Sequence, residues 1–302
     1  MGKKLLFVVL ALLLASGIVL IGCRKKAALG TEENPIVWAF VPSGEMERVS
    51  SGAQQVADLL HDKTGLYFKT LVATEYAGVI EALRSNPPSA HMTSLATFAY
   101  IMAADLKVAR AALVSVRNNS PFYNGQIIAR AGIGINKLAD LKGHTFARVD
   151  PLSTSGWIIP MLTMRAAGIV PERDLKQIVD AGSHDAVVAA VYNGEVDAGA
   201  CYVDARTRIE KDHPDVMEKV IVVEVSAPIP NDGVQFHPSV PKDIRTKIVN
   251  ALLELVKTDE GKNAIKVAYQ WTDLTVKDDS FYDPFRQVLQ AAGVKAADLL
   301  KK

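Results

Sequence analysis

Residues 145–156 read Thr-Phe-Ala-Arg-Val-Asp-Pro-Leu-Ser-Thr-Ser-Gly. The first half is extended, Asp150-Pro151 breaks it, and the apolar run after Gly156 is helical. A strand, a turn of small residues and a helix start follow one another directly. The first backbone N–H groups of a helix lack internal partners, and the aligned peptide dipoles leave partial positive charge there. Ser153, Thr154 and Ser155 add three hydroxyls at that point, which makes a cradle for a tetrahedral anion. Ser and Thr also serve as plain N-caps, so the remainder of the chain has to decide between the two readings.

Outward from this point, short strands alternate with amphipathic helices. Residues 37–41 read as a strand. Residues 46–63 place Val49, Ala53, Val56 and Leu60 on one helical face ahead of Gly65. Residues 66–72 form a second strand, and Thr74 is placed to cap a helix carrying Val79, Ile80 and Leu83. The alternation continues to about residue 225, after which residues 243–256 and 283–291 read as helices. This is an α/β pattern with mostly parallel sheets flanked by helices and extra helices at the C-terminus. Asn118-Asn119-Ser120-Pro121 and Ala227-Pro228-Ile229-Pro230 interrupt it twice. The breaks divide the body into a discontinuous first lobe, residues 35–119 and 228–302, and a continuous second lobe, residues 120–227. In such folds ligands lie at the carboxyl ends of strands, between the lobes.

Lys3 and Lys4 precede an apolar run to Ile21 that ends Leu20-Ile21-Gly22-Cys23. A basic start, an apolar stretch and a small residue before a cleavage point describe an export signal over residues 1–22. A membrane-spanning helix of near-minimal length is the alternative. Leu-Ile-Gly-Cys resembles the bacterial lipobox, which implies lipidation of Cys23 and a flexible tether over residues 23–34. Cys201 is the other cysteine, in the apolar setting Gly199-Ala200-Cys201-Tyr202-Val203, and is expected to be packed rather than reactive. Loss of Lys3 and Lys4 with the leader takes the net charge from +1 to about −1. A near-neutral body excludes general nucleic-acid binding, which needs a basic face.

Seven segments in order carry a resemblance over residues 36–293. They are Val41-Pro42-Ser43, residues 73–83 (Ala-Thr-Glu-Tyr-Ala-Gly-Val-Ile-Glu-Ala-Leu), 138–143 (Leu-Ala-Asp-Leu-Lys-Gly), 150–156, 182–187 (Gly-Ser-His-Asp-Ala-Val), 193–200 (Asn-Gly-Glu-Val-Asp-Ala-Gly-Ala) and 228–232 (Pro-Ile-Pro-Asn-Asp). Together, behind a lipobox, they resemble the phosphonate/phosphite-type substrate-binding proteins of bacterial ABC importers. The resemblance implies a two-lobed, type II-like periplasmic-binding-protein fold that closes on a small phosphorus oxyanion. It implies that Ser153, Thr154 and Ser155 hold the oxyanion and that His184 bonds it from across the cleft. Tyr76 and Tyr123 would line the pocket. Asp204 and Asp232 would be acidic positions that, in relatives taking aminophosphonates, hold the ammonium end. A pair of carboxylates beside an anion site then favours an aminoalkylphosphonate over phosphite.

The resemblance further implies a monomeric lipoprotein on the extracytoplasmic face, with an ABC permease and a cytoplasmic ATPase as partners and no cofactor, metal or catalysis. A phosphorylated thiamine-like ligand is the variant within the family. An exported hydrolase using Ser, His and Asp is the competing class. No Gly-x-Ser-x-Gly surrounds the serines, and His61, His91, His144, His184, His213 and His237 are scattered without metal-ligand spacing. Two features depart from the family: residues 93–98 (Thr-Ser-Leu-Ala-Thr-Phe) stand where relatives carry Gly-Pro, and Pro160 lies inside the expected helix.

Overall fold

A computed structural model of the chain describes residues 27–294. The expected export signal and the Cys23 anchor lie outside the described residues. Residues 27–34, expected within a flexible tether, form a turn tied to the body. Gly30 N–H donates to Asn34 O at 2.8 Å, the Asn34 amide to Ala27 O at 2.8 Å, and Tyr67 N–H to Gly30 O at 2.9 Å.

The first sheet has six strands: β1 (Ile36–Phe40), β2 (Phe68–Val72), β3 (Met92–Ser94), β4 (Arg110–Val116), β12 (Gly233–Phe236) and β13 (Asp273–Val276), in the order β13-β4-β12-β3-β1-β2. The second has five: β6 (Gly125–Arg130), β7 (Thr145–Arg148), β8 (Gln177–Asp180), β9 (Ala198–Tyr202) and β10 (Val220–Val225), in the order β10-β6-β9-β7-β8. Each sheet with its helices makes one lobe. Between them, the two interruptions read from the sequence pair with each other. β5 (Phe122–Tyr123) and β11 (Ile229–Pro230) form an antiparallel ribbon in which Tyr123 faces Ile229. The chain thus leaves and re-enters the first lobe side by side.

Both sheets are mixed, where mostly parallel sheets were expected. β1 pairs parallel with β2 and β3, and β7 parallel with β8 and β9. β12, β4 and β13 pair antiparallel in the first sheet, as do β9, β6 and β10 in the second. The physical reason is the crossing: strands that enter or return through the ribbon meet the βαβ half of each sheet from the opposite end.

The Met46–Thr64 helix buries Val49, Ala53, Val56 and Leu60, the stripe expected of it. At Gly52 an added Cβ would lie 2.4 Å from the backbone nitrogen of Ala268. Only glycine therefore lets the Asp259–Tyr269 helix press against it. This contact holds the C-terminal helices on the first lobe, with Ile248, Leu252, Ile265 and Ala268 buried. Cys201 is buried and accepts a weak bond from the Gln126 amide at 3.4 Å.

Candidate functional site

A cleft of about 620 Å³ opens between the lobes, and all eight residues singled out in the sequence line it: Tyr76, Tyr123, Ser153, Thr154, Ser155, His184, Asp204 and Asp232. The cradle begins where β7 ends. Ser153 stands at the start of a wide, π-type turn, Thr154–Ile158, that runs into the Ile159–Ala166 helix. Its hydroxyl accepts the Gly156 N–H at 3.2 Å, and its carbonyl takes the N–H groups of both Trp157 and Ile158, at 3.0 and 2.9 Å. A Cβ at position 156 would sit 2.5 Å from Val149 Cγ2, so the glycine lets this turn lie flat on the strand end. The π-type turn also accounts for Pro160. It places the proline in the first turn of the α-helical segment, where a missing N–H costs little.

Thr154 is fully buried, and its Oγ1 accepts the backbone N–H of Phe98 at 2.9 Å. That N–H belongs to the first turn of the Thr97–Asp105 helix, which grows from the departing segment at residues 93–98. The threonine hydroxyl, having accepted, is left with its own hydrogen to donate into the cleft. The Tyr76 hydroxyl lies near Ser153, and that of Tyr123 near Ser155 and Thr154. Both tyrosines stay protonated. Burial, then the neighbouring Asp150, pushes Tyr76 far up, and burial pushes Tyr123 up to about 12.

His184 begins the His184–Asn193 helix, which packs on the same sheet as the cradle, so the imidazole belongs to the cradle's own lobe and does not reach in from across the cleft as expected. Its backbone N–H reaches Ser43 O in the first lobe at 3.2 Å, and its Nδ1 accepts the Tyr202 N–H at 3.2 Å. Because Nδ1 is an acceptor, the neutral ring carries its proton on Nε2, a donor suited to an oxyanion. Burial first, and then the positive Arg117, holds its pKa down at about 3. The unfolded state therefore binds one more proton than the folded state between about pH 6.5 and 3. Stability from this site is complete above pH 6.5 and is lost as the pH falls toward 3. Denaturant unfolding of His184→Gln from pH 6.5 to 4 should show a slope shallower than wild type by up to about 1.4 kcal/mol per pH unit; equal slopes would show that the fold does not hold His184 neutral.

The electrostatics of the two carboxylates differ from expectation. Asp232 is held by Arg117, with Nη1–Oδ1 at 2.7 Å and Nη2–Oδ2 at 3.0 Å, and accepts the Ser115 hydroxyl at 2.7 Å. Asp204 is held by Arg206, Nη2–Oδ2 at 2.6 Å, and by the Gln126 amide at 2.9 Å. Burial works upward on Asp204, but the bonds from Arg206 and Gln126 outweigh it and hold the carboxyl below its usual range. Arg117 also lies over the Tyr123 ring at 5.7 Å, so that face already has its cation. Neither carboxylate is an open counter-charge for an ammonium group.

Sequence reasoning missed Arg117 altogether, although asking what neutralises a half-buried Asp232 would have pointed to it. Ser43, Arg48, Asn118, Ser120, Asn124, Tyr202 and Tyr269 also line the cleft without having been singled out. Four helix or turn starts, at Tyr76, Ala96–Thr97, Ser153–Thr154 and His184, converge on it, each presenting the positive end of its peptide dipoles. The wall is thus built of hydroxyls, amide donors and helix N-termini, with its carboxylates neutralised.

Residues 38–282 match the family model described as "ABC transporter, phosphonate, periplasmic substrate-binding protein". The chain belongs to this family. It is 26% identical over 245 residues to the phosphonates-binding periplasmic protein of Escherichia coli K12, a match covering 78% of this chain and 71% of that one. It is 29% identical over 189 residues to the phosphate-import protein PhnD of Mycolicibacterium smegmatis, covering 58% of each. Two solved structures share the fold. A binding component of a phosphonate ABC transporter from Pseudomonas aeruginosa aligns with TM-score 0.78 at 22% identity, over 86% of this chain and 87% of that one. A Prochlorococcus marinus protein in complex with methylphosphonate aligns with TM-score 0.76 at 14% identity, over 85% and 98%. The two-lobed, type II-like architecture of this phosphonate-family protein is that of periplasmic binding proteins.

Proposed function

We propose that this protein captures a phosphonate, or a phosphorus oxyanion of the same shape, between its lobes. It would deliver the ligand to an ABC permease driven by a cytoplasmic ATPase. One observation carries the reading: the Ser153–Thr154–Ser155 cradle, with Thr154 already accepting from Phe98, lines one cleft with a neutral His184 among converging helix starts. Each bond to a charged oxygen contributes roughly 1.5–3 kcal/mol. Three or four, less ordering costs, reach micromolar affinity at about −8 kcal/mol.

The same geometry argues against catalysis. A Ser-His-Asp triad needs a carboxylate on His Nδ1 to turn the ring into a base, and in this protein Tyr202 N–H occupies that atom. In this reading lobe 1 comprises residues 35–119 and 228–302 and lobe 2 residues 120–227. The monomer is anchored at an extracytoplasmic membrane face through a lipidated Cys23, which the intact mass of the mature chain checks. The family membership and the name of the E. coli relative support phosphonates; the mycobacterial relative's name keeps phosphate among the ligands to test.

Titration calorimetry of delipidated protein against methylphosphonate, aminoethylphosphonate, phosphite and phosphate is the deciding experiment. Micromolar binding of at least one is expected. Because both carboxylates are paired, methylphosphonate should bind within about tenfold of aminoethylphosphonate, or about 1.4 kcal/mol. Silence from all four sinks the oxyanion reading. A larger advantage for aminoethylphosphonate would show that a carboxylate is open after all.

A further inference from the structure

Three helices of the first lobe begin at the cleft with a backbone donor that their own lobe does not satisfy. The Tyr76–Arg84 helix follows Glu75, whose exposed side chain makes no capping bond, and Thr74, expected to cap it, makes none either. The Thr97–Asp105 helix follows Ala96, which has no group to offer. The Met46–Thr64 helix is capped by the Glu45 side chain, but the N–H of Glu45 itself remains. Each of these donors reaches an acceptor on the second lobe. Tyr76 N–H goes to Asp150 Oδ2 at 3.0 Å, Phe98 N–H to Thr154 Oγ1 at 2.9 Å, and Glu45 N–H to Asp185 Oδ2 at 3.2 Å.

Of the three acceptors, Asp150 is the one that does not reach the cavity, directly or through an ion-pair partner. Thr154 is in the cavity wall, and Asp185 forms an ion pair at 2.7 Å with Arg48, which is in the wall too. Asp150 lies behind the wall, 7% exposed, just past the end of β7. Its other oxygen takes the Leu152 N–H at 2.7 Å, which fixes the carboxylate in aim. We propose that Asp150 is a closure residue: its carboxylate completes the Tyr76–Arg84 helix from the opposite lobe when the cleft shuts, and so tightens the hold on a ligand it does not touch. This rests on the reading of the protein as a binder whose lobes close on their ligand. With the lobes apart, the helix start is hydrated. With them together, it meets an anion in a dry setting, aligned with the peptide dipoles. A bond made only in the closed form biases the equilibrium toward that form and adds to apparent affinity.

The test compares Asp150→Ala and Asp150→Asn with Thr258→Ala, using methylphosphonate as probe. Thr258 caps the Asp259–Tyr269 helix within its own lobe, accepting Gly261 N–H at 3.1 Å. Asp150→Ala should raise Kd about five- to thirtyfold, the range a lost cap supplies, with most of the change in a faster release rate. Asp150→Asn turns one of two acceptors into a donor and should raise Kd at least about threefold; it remains decisive if the alanine variant does not fold. Thr258→Ala should lower the melting temperature and leave Kd within about twofold. Unchanged Kd in the Asp150 variants, or an equal rise in Thr258→Ala, overturns the proposal. If wild type binds none of the four oxyanions, the function proposed above falls, and spin-label distances across the cleft in ligand-free protein decide this inference instead. A shift toward open forms in Asp150→Ala supports it, and identical distributions overturn it.

Discussion

Thr154→Val will weaken binding of the preferred oxyanion by at least about fiftyfold. Thr154 is fully buried and accepts from Phe98 N–H at 2.9 Å, which leaves its own hydrogen for the ligand proposed above. The valine keeps the shape and loses both bonds. The missing donor to a charged oxygen costs roughly 1.5–3 kcal/mol, and the unsatisfied Phe98 N–H in the closed form about another 1–3 kcal/mol. Even the lower ends together reach the stated factor. Thr154→Ser keeps the hydroxyl and should stay within about fivefold. Calorimetry of both variants against whichever oxyanion wild type binds best gives the answer. A Thr154→Val affinity within threefold of wild type would remove this residue from the site.

The turn at Ser153–Gly156 and its place in the cleft wall were legible because the turn's parts are consecutive. A strand, Asp150-Pro151, three hydroxyls and Gly156 form one local unit, and local units obey capping and turn rules that need no knowledge of the rest of the chain. The Met46–Thr64 stripe was legible for the same reason, and the two Pro-containing interruptions because a break in pattern is itself local. What escaped was supplied from afar. Thr74 looked like the cap of its helix, but the first N–H of that helix bonds to Asp150, 74 positions along the chain. Asp232 looked like an open negative charge because its partner Arg117 is 115 positions away. The antiparallel half of each sheet follows from how the chain returns through the ribbon, which periodicity does not encode. Pro160 is a different case: the proline broke a local rule, and the wide turn at Thr154–Ile158 is the local answer, at the point where the cradle is formed.

The distant pair is also where a single substitution should do the most damage to the fold. The Arg117 guanidinium donates to Asp232 at 2.7 and 3.0 Å, to Asn231 Oδ1 at 2.6 Å, to Ser115 Oγ at 3.1 Å and to Tyr269 O at 3.2 Å. It therefore ties the end of β4 to the segment returning from the ribbon and to the last residue of the Asp259–Tyr269 helix. Arg117→Met fills a similar volume but leaves Asp232, whose side chain is 18% exposed, with Ser115 as its remaining donor. Removing one partner of a buried pair costs about 3–5 kcal/mol. Partial exposure places this case near the lower end, roughly 3 kcal/mol, and a chain of this size should lose about 5–10 °C in melting temperature. Adding Asp232→Asn should recover part of that loss, because the uncompensated charge is what destabilises. Fully additive losses across the double-mutant cycle would show that the two side chains do not act as a pair. Ligand choice gives a second readout. With its cation gone, Asp232 becomes the open carboxylate that the wild type lacks. Arg117→Met should therefore lose methylphosphonate affinity while shifting preference toward aminoethylphosphonate by about five- to tenfold, a change of about 1 kcal/mol or slightly more. An unchanged ratio of the two affinities would place the Arg117–Asp232 pair outside the reach of the ligand.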